Sequence, residues 1–342
     1  CLRPAVLLGV ILTAGLACSP IHGAEGGEPL QRPLRVGIIG LDTSHVIAFT
    51  QVLNGERPPE AVRDCRVTVA APHGSRDIES SVSRIPAYTA QVKEAGVEIV
   101  GSVEEVIAVS DAILLETNDG RRHLEQALPC LKAGKPTFID KPLAASLADA
   151  VAIVDAAAHY QTPLFSASSL RFGVETLAAR AGSAGEVLGC DAFSPCELEP
   201  TRPDLFWYGV HGVETLFTVM GRGCQSVTRV HAPDVDVVLG TGGGGRTGPF
   251  RGWGAGARDY GGTVFGAKGI KPIGQKPGYE PLLAEIVKFF RTGVSPIDPA
   301  ETLEIFAFME AAELSRTRGG AAVSLSEVMA AARAEADAQR TW

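Results

Sequence analysis

Short apolar runs alternate with helical segments through the first half of the chain, and this alternation constrains the fold more than any other feature. Runs such as Leu34 to Gly40 and Asp111 to Thr117 are apolar over most of their length. Strands of this kind are typical of parallel sheets that helices cover on both faces. The pattern predicts a doubly wound domain over residues 34–165. The predicted strands are 34–40, 65–71, 97–100, 111–117, 136–139 and 163–168. The predicted helices are one directly after residue 40, one at 87–95, one that begins at a capping box at Ser102, one at 122–133 and one at 144–160.

After Gly185 the pattern changes, because predicted strands follow one another without long helices between them. This predicts an open, largely antiparallel sheet, with helices packed on one of its faces. The fold class is therefore α/β, with an N-terminal Rossmann-type parallel sheet and a C-terminal α+β domain over residues 166–342. In this second domain the predicted strands are 187–193, 227–231, 235–239 and 261–265, the predicted helices are 212–220, 280–291 and 299–316, and the Gly-rich segment 240–256 is a loop or a hairpin.

An apolar stretch precedes the first domain. Residues 5–17 follow Arg3 and are too few to cross a bilayer comfortably, which is typical of a signal peptide. Gly15 and Ala17 stand at the −3 and −1 positions before Cys18, which fits cleavage or lipid attachment there. The sequence predicts a signal peptide or anchor helix over 1–24, a linker over 25–33, and an exported protein that is periplasmic or held by a lipid on Cys18. Without a signal, the protein would be cytoplasmic.

Composition excludes two classes of partner and gives no metal site. A net charge of −8, without a long basic run, argues against binding nucleic acid or an anionic membrane. The seven cysteines form no C-x-x-C pair and do not alternate with histidine at zinc spacing, so no metal site is predicted. In an exported protein Cys190 and Cys196 are candidates for a disulfide, and otherwise they are buried thiols.

The turn after the first predicted strand is where a ligand is expected. Doubly wound sheets bind ligands beyond the carboxyl ends of their strands, and dinucleotide-binding sheets carry G-x-G-x-x-G there. Gly40 keeps the first glycine of that pattern, whereas Asp42 and His45 stand at the second and third. Thr43, Ser44 and the helix N-terminus can still donate hydrogen bonds to phosphate. Asp42 repels a diphosphate unless it is paired or turned away, and it is also a candidate cap of the helix.

The end of the second predicted strand bears on the choice between NAD and NADP. NAD-binding proteins place an acidic residue there for the ribose hydroxyls. This chain has Ser75 and Arg76, and the first carboxylate is Asp77. Ser75 and Arg76 tolerate a 2′-phosphate better than an acidic site does, which favours NADP. The alternative is an ordinary polar loop.

Two motifs follow the fourth and fifth predicted strands. Thr117 and Asn118 begin a turn that reaches His123, and Asp140-Lys141-Pro142 follows the fifth strand. They resemble the T-P-n-x-x-H and E-K-P motifs of the glucose-fructose oxidoreductase / inositol dehydrogenase (Gfo/Idh/MocA) family, with Asp in place of Glu. The resemblance covers nearly the whole chain after the linker. It implies a dinucleotide-binding domain, with Thr117, Asn118 and His123 at the cofactor, and a second domain for substrate and oligomerisation.

The same resemblance implies a catalytic pair. The E-K-P lysine of the family lies between nicotinamide and substrate, which implies this place for Lys141, where its ammonium can stabilise the reacting oxygen. The family motif D-x-G-x-H-x-x-D is matched by Gly209 and His211, which implies that His211 exchanges the proton of the substrate hydroxyl. Glu214 replaces the last Asp and can orient His211 or reach a substrate hydroxyl. Trp207 replaces the first Asp and can stack on a sugar ring.

Together these features predict an NAD(P)-dependent oxidoreductase that acts on a secondary alcohol of a sugar or cyclitol. Arg171 is a further candidate for holding the substrate. The resemblance also implies a homo-oligomer, and export requires a tightly held cofactor, because free NAD(P)H is not expected outside the cytoplasm. Asp42, His45 and Trp207 motivate an alternative, namely a non-catalytic sugar-binding protein or a redox-cycling, lyase-like enzyme on the same scaffold.

Overall fold

The first sheet contains six strands, all parallel to one another. The computed structural model describes residues 32–199, 201, 204–274 and 276–342, so the predicted signal peptide or anchor and most of the predicted linker lie outside the described residues. The strands are β1 (Leu34–Ile39), β2 (Cys65–Ala71), β3 (Glu98–Ile99), β4 (Ala112–Leu115), β5 (Thr137–Ile139) and β6 (Leu164–Phe165), in the spatial order β3-β2-β1-β4-β5-β6. The chain therefore changes direction of winding between β1 and β4, where such sheets bind ligands.

One helix of this domain begins at a capping residue that the sequence singles out. Ser102 caps the third helix by accepting a hydrogen bond from the amide of Glu105, and Glu105 accepts one from the amide of Gly101. The second helix begins eight residues earlier than predicted and continues through Pro86, because the residue four before it, Val82, is exposed and water can satisfy its carbonyl. The helices are α1 (Ser44–Asn54), α2 (Glu79–Glu94), α3 (Val103–Val109), α4 (His123–Lys132) and α5 (Leu147–His159).

The second sheet is open and mostly antiparallel, as predicted. Seven strands lie in the order β12-β11-β7-β10-β9-β8-β13, and only the pair β7–β10 is parallel among them. The Gly-rich segment forms the hairpin of β9 and β10. Gly212 explains how a helix packs so closely on β10, because a Cβ there would overlap Phe250. The strands are β7 (Val187–Pro195), β8 (Cys224–Ala232), β9 (Val235–Gly242), β10 (Thr247–Trp253), β11 (Gly261–Gly266), β12 (Gly269–Ile273) and β13 (Val323–Ser324).

The helices of the second half also join the two sheets. One of them, at residues 280–292, packs its apolar face into the core of the first sheet, where Leu283 and Phe289 share a cluster with Phe138. Two others pack against both the second sheet and α5. None of the described helices is long and apolar enough to span a bilayer. They are α6 (Val174–Arg180), α7 (Asp204–Trp207), α8 (Val210–Met220), α9 (Glu280–Thr292), α10 (Pro299–Thr317) and α11 (Leu325–Gln339).

Of the two alternatives for Cys190 and Cys196, the disulfide is wrong and the buried thiols are confirmed. Cys190 lies within β7 and Cys196 follows its last residue, so an extended chain separates them by about 20 Å. Disulfide-bonded residues have Cα atoms less than about 7 Å apart. Both cysteines are buried free thiols.

Candidate active site

A polar cavity of about 470 Å³ lies where the carboxyl ends of the first sheet face the second domain. Pockets of several hundred Å³ at a topological switch point are the usual ligand sites of doubly wound proteins. The first domain contributes the beginning of α1 and the ends of β4 and β5, and the second domain contributes α7, α8 and several loops. The lining residues are Thr43, Ser44, His45, Ser80, Arg84, Asn118, Lys141, Ser169, Leu170, Glu197, Leu198, Glu199, Trp207, Tyr208, His211, Arg258, Tyr260, Lys276 and Tyr279.

The turn after β1 keeps its shape without the two missing glycines. Gly40 has a φ of +98°, and a Cβ there would overlap the amide of Thr117. Asp42 is fully buried and turned away from the cavity, since its carboxylate accepts hydrogen bonds from the amide of Asn118 at 2.9 Å and the hydroxyl of Ser81 at 2.6 Å. Burial raises the pKa of this carboxyl. Thr43, not Asp42, caps α1.

The beginning of α1 can therefore still meet a phosphate. Thr43 and Ser44 line the cavity, and Ser80 and Arg84 of α2 stand beside them. Backbone amides at a helix N-terminus, together with an arginine, are suited to an anion. The residues that would hold the diphosphate of a dinucleotide are therefore at this turn.

The crevice at the end of β1, where the adenosine of a dinucleotide is expected, is crossed by contacts between the loop after β2 and the loop after β4. Ser75 donates a hydrogen bond to Asp119, and Arg121 bridges Asp77 at 2.8 Å and Asp119 at 2.7 Å. Since β1 lies between β2 and β4, these contacts cross the crevice at the end of β1. Ser75 is buried by them, whereas Arg76 is exposed. These contacts lie at the crevice where doubly wound sheets bind their ligands.

Lys141 follows β5 and lines the cavity beside an aromatic wall. Its ammonium lies 5.5 Å from the centre of the Tyr208 ring. The preceding Asp140 is buried and accepts a hydrogen bond from His45 Nδ1 at 2.8 Å. This fixes the strand end from which Lys141 projects.

His211 stands on the opposite wall, at the beginning of α8. Its Nδ1 lies 2.7 Å from the hydroxyl oxygen of Ser168, so Nε2 is the ring nitrogen that can reach a ligand in the cavity. Burial, followed by the nearby Lys141 ammonium, holds the pKa of His211 well below its usual range. The imidazole is therefore neutral and can accept a proton. Tyr208 and Tyr260 flank it, with ring centres 5.9 and 5.8 Å away.

Arg171 and Glu214 lie behind this histidine and do not line the cavity. Arg171 Nε contacts Glu214 at 2.8 Å, and its Nη1 contacts Glu301 at 2.7 Å. Glu214 also accepts a hydrogen bond from the amide of Ser168. The carboxylate predicted to orient His211 does so indirectly, through Ser168. We name Ser168, Arg171, His211, Glu214 and Glu301 the His211 cluster.

Of the other predicted residues, some line the cavity and some are buried away from it. Asn118 and Trp207 line the cavity, whereas Thr117 is buried. His123 is also buried, with its ring nitrogens against the carbonyls of Thr117 at 2.6 Å and Leu143 at 3.1 Å. It thus ties the turn after β4 to the segment after β5. Several lining residues carry no sequence signal, because they come from loops that only the fold brings together: Glu197, Glu199, Arg258, Lys276 and Tyr279.

Comparison with known proteins places the first domain in a family. Residues 34–168 match the family model described as "Oxidoreductase family, NAD-binding Rossmann fold". An inositol 2-dehydrogenase of Cereibacter sphaeroides is 36% identical over 126 residues, which are 36% of this chain and 32% of that protein. The chain thus matches about a third of the length of this curated relative.

Solved structures extend the similarity of fold to the second domain. A putative myo-inositol dehydrogenase from Sinorhizobium meliloti has a TM-score of 0.70 at 17% identity, covering 85% of this chain and 99% of that one. GenD2 from gentamicin A biosynthesis, solved in complex with NAD, has a TM-score of 0.69 at 17% identity, covering 88% and 99%. At this identity the likeness shows the fold alone. Residues 34–168 therefore match the NAD-binding domain of the oxidoreductase family that the motifs resemble.

Proposed function

We propose that the protein is an NAD(P)-dependent oxidoreductase that moves hydride between nicotinamide and a secondary alcohol of a sugar or cyclitol. The observation that carries this proposal is the presence of Lys141 and a neutral His211 on the walls of one cavity. The family description and the inositol 2-dehydrogenase relative support the same chemistry.

The two side chains have complementary tasks. In the tautomer that donates Nδ1–H to Ser168, His211 Nε2 accepts the proton of the substrate hydroxyl. The Lys141 ammonium stabilises the negative charge that develops on that oxygen. A nicotinamide, when bound, would supply the acceptor for the hydride. Trp207, Tyr208 and Tyr260 offer flat apolar surfaces for the ring of the substrate, and Glu197 and Glu199 can accept hydrogen bonds from its other hydroxyls.

We propose NADP rather than NAD as the cofactor. The exposed Arg76 at the end of β2 is available to a 2′-phosphate, and Asp77 and Asp119 are paired with Arg121. Ser75 becomes available only when its contact with Asp119 separates. The contacts between the loops after β2 and β4 would then form again over the bound nucleotide and retain it.

Export and self-association are further parts of the proposal. The apolar stretch at residues 5–17 supports export. The outer face of the second sheet exposes Val230, Leu239, Phe265 and Ile270, which supports a homo-oligomer formed through that face. Cell fractionation tests the first, and sedimentation of wild type against Phe265→Lys tests the second.

One observation favours the alternative of a sugar-binding protein without a dinucleotide, namely the contacts that cross the adenosine crevice. Native mass spectrometry of the purified protein, followed by thermal unfolding with added NAD⁺ or NADP⁺, separates the two. We expect a co-purifying or stabilising nucleotide, with NADP⁺ the more effective, and turnover on a panel of cyclitols and sugars. Binding of a sugar without any effect of nucleotide would support the alternative instead.

A further inference from the structure

Three buried polar side chains converge beside the cavity, outside the catalytic pair. His45 comes from α1, Glu116 from the end of β4 and Asp140 from the end of β5. Their exposed fractions are 9, 0 and 2%. One nitrogen or oxygen atom from each lies within 4.8 Å of those of the other two. We name these three residues the His45 cluster.

The protein leaves most of this cluster without hydrogen bonds. Among the described residues, neither oxygen of Glu116 has a partner, and Oδ1 of Asp140 has none either. The only bond inside the cluster joins His45 Nδ1 to Asp140 Oδ2. A buried carboxylate without partners costs several kcal/mol, so such groups are rare unless something neutralises them. A buried Glu side chain aimed at two other ligand-type residues, with no hydrogen-bond partner of its own, therefore points to a cation as its partner.

Two of the three residues stand where the chain departs from the motifs that it resembles. His45 occupies the third glycine of G-x-G-x-x-G, and Asp140 occupies the glutamate of E-K-P. The His45 ring of α1 contacts Asp140 at the end of β5, with Nδ1 and Oδ2 2.8 Å apart. These departures, separate in sequence, meet at one point in space, which a shared ligand explains.

We propose that the His45 cluster binds one divalent transition-metal ion, such as Zn²⁺ or Mn²⁺. One imidazole nitrogen and two carboxylates suit these ions, whereas Mg²⁺ and Ca²⁺ prefer oxygen alone. Three protein ligands with an open position are typical of a site that also takes water or a ligand. His45 and Lys141 line the cavity, so the open position faces the space where a polyol hydroxyl would lie.

Metal binding to chelator-treated, tag-free protein tests this proposal directly. Isothermal titration with Zn²⁺ and with Mn²⁺ should show one site per chain, and Glu116→Gln should weaken it by at least about tenfold. Glu310→Gln is the matched control, since Glu310 lies on α10 away from the cluster, and it should bind as wild type does. Equal affinity in wild type and Glu116→Gln, or no uptake by wild type, would overturn the proposal.

A second measurement covers the case in which Glu116→Gln does not fold. Electron paramagnetic resonance of Mn²⁺ bound to the wild type should show coupling to one imidazole nitrogen. This coupling should disappear in His45→Gln. Coupling that survives His45→Gln would place the ion elsewhere and refute the assignment. These readouts do not depend on turnover, so they stand apart from the proposed dehydrogenase function.

Discussion

The His211 cluster and the His45 cluster border the same cavity, and they differ in how far the protein satisfies them. In the His211 cluster all four carboxylate oxygens, those of Glu214 and Glu301, accept hydrogen bonds. In the His45 cluster three of the four, both on Glu116 and one on Asp140, accept none. The first is a nearly complete support for a catalytic imidazole, in which Nη2 of Arg171 alone has no hydrogen-bond partner among the described residues, whereas the second is complete only with a cation or a proton from outside. Substitutions in the two clusters should therefore have opposite signs.

The largest effect is expected from Arg171→Met in the His211 cluster. This change leaves Glu214 and Glu301 buried without their shared cation, which should lower the free energy of unfolding by about 3–5 kcal/mol. Urea denaturation measures the loss. Arg180→Met is the control, because Arg180 also pairs with Glu301 but is 44% exposed, and it should cost less than about 1 kcal/mol. Equal losses would mean that Arg171 does not hold the cluster.

Removing the imidazole itself should act on turnover rather than on folding. His211→Asn takes away the proton acceptor, so kcat on the best polyol should fall by about 100-fold or more. The same change at the exposed His159 should leave kcat unchanged. Unfolding curves of both variants should lie close to wild type. A His211→Asn enzyme with normal kcat would remove His211 from the mechanism.

The first domain could be predicted from the sequence because its strands are short, apolar and punctuated by glycines, so local pattern and fold agree. Strand β10 could not be predicted from its sequence. Its sequence contains two glycines and a proline, and it becomes a strand because Gly248 lets Leu216 approach on its inner face. Sequence pattern carries no record of such a contact between distant segments.

The residues of the site also differ in whether the sequence could predict them. Lys141 and His211 could be named because each lies in a motif, and the cavity brings them together. Glu116 could not be named, since it sits inside an apolar strand end, and His45 and Asp140 are 95 residues apart. A search for zinc spacing along the chain misses ligands that only the order of β1, β4 and β5 assembles.

In the His45 cluster we expect a substitution to raise the free energy of unfolding rather than lower it. In chelated protein, Glu116→Gln replaces an unpartnered carboxyl with an amide that can donate to Asp140, so the free energy of unfolding should rise by roughly 1 kcal/mol. With saturating Zn²⁺ the wild type should become the more stable of the two. Paired denaturation curves, with and without chelator, measure both differences. A variant less stable than wild type under chelation would show that Glu116 is satisfied as it stands.

The smallest effect is the pH dependence that the neutral His211 gives to stability. Its pKa is lowered in the folded protein by burial and by Lys141, whereas the unfolded chain titrates near 6.5. Between these pKa values the unfolded state binds the proton and the folded state does not, so acidification favours unfolding. From pH 7 to 5.5 this residue should remove about 1 kcal/mol of stability. The wild-type slope minus that of His211→Asn gives the contribution of His211 alone, and identical slopes would mean that the pKa of His211 is not lowered in the folded protein. That outcome would remove the physical reason for a neutral His211 in the cavity, so the smallest effect bears on the whole catalytic assignment.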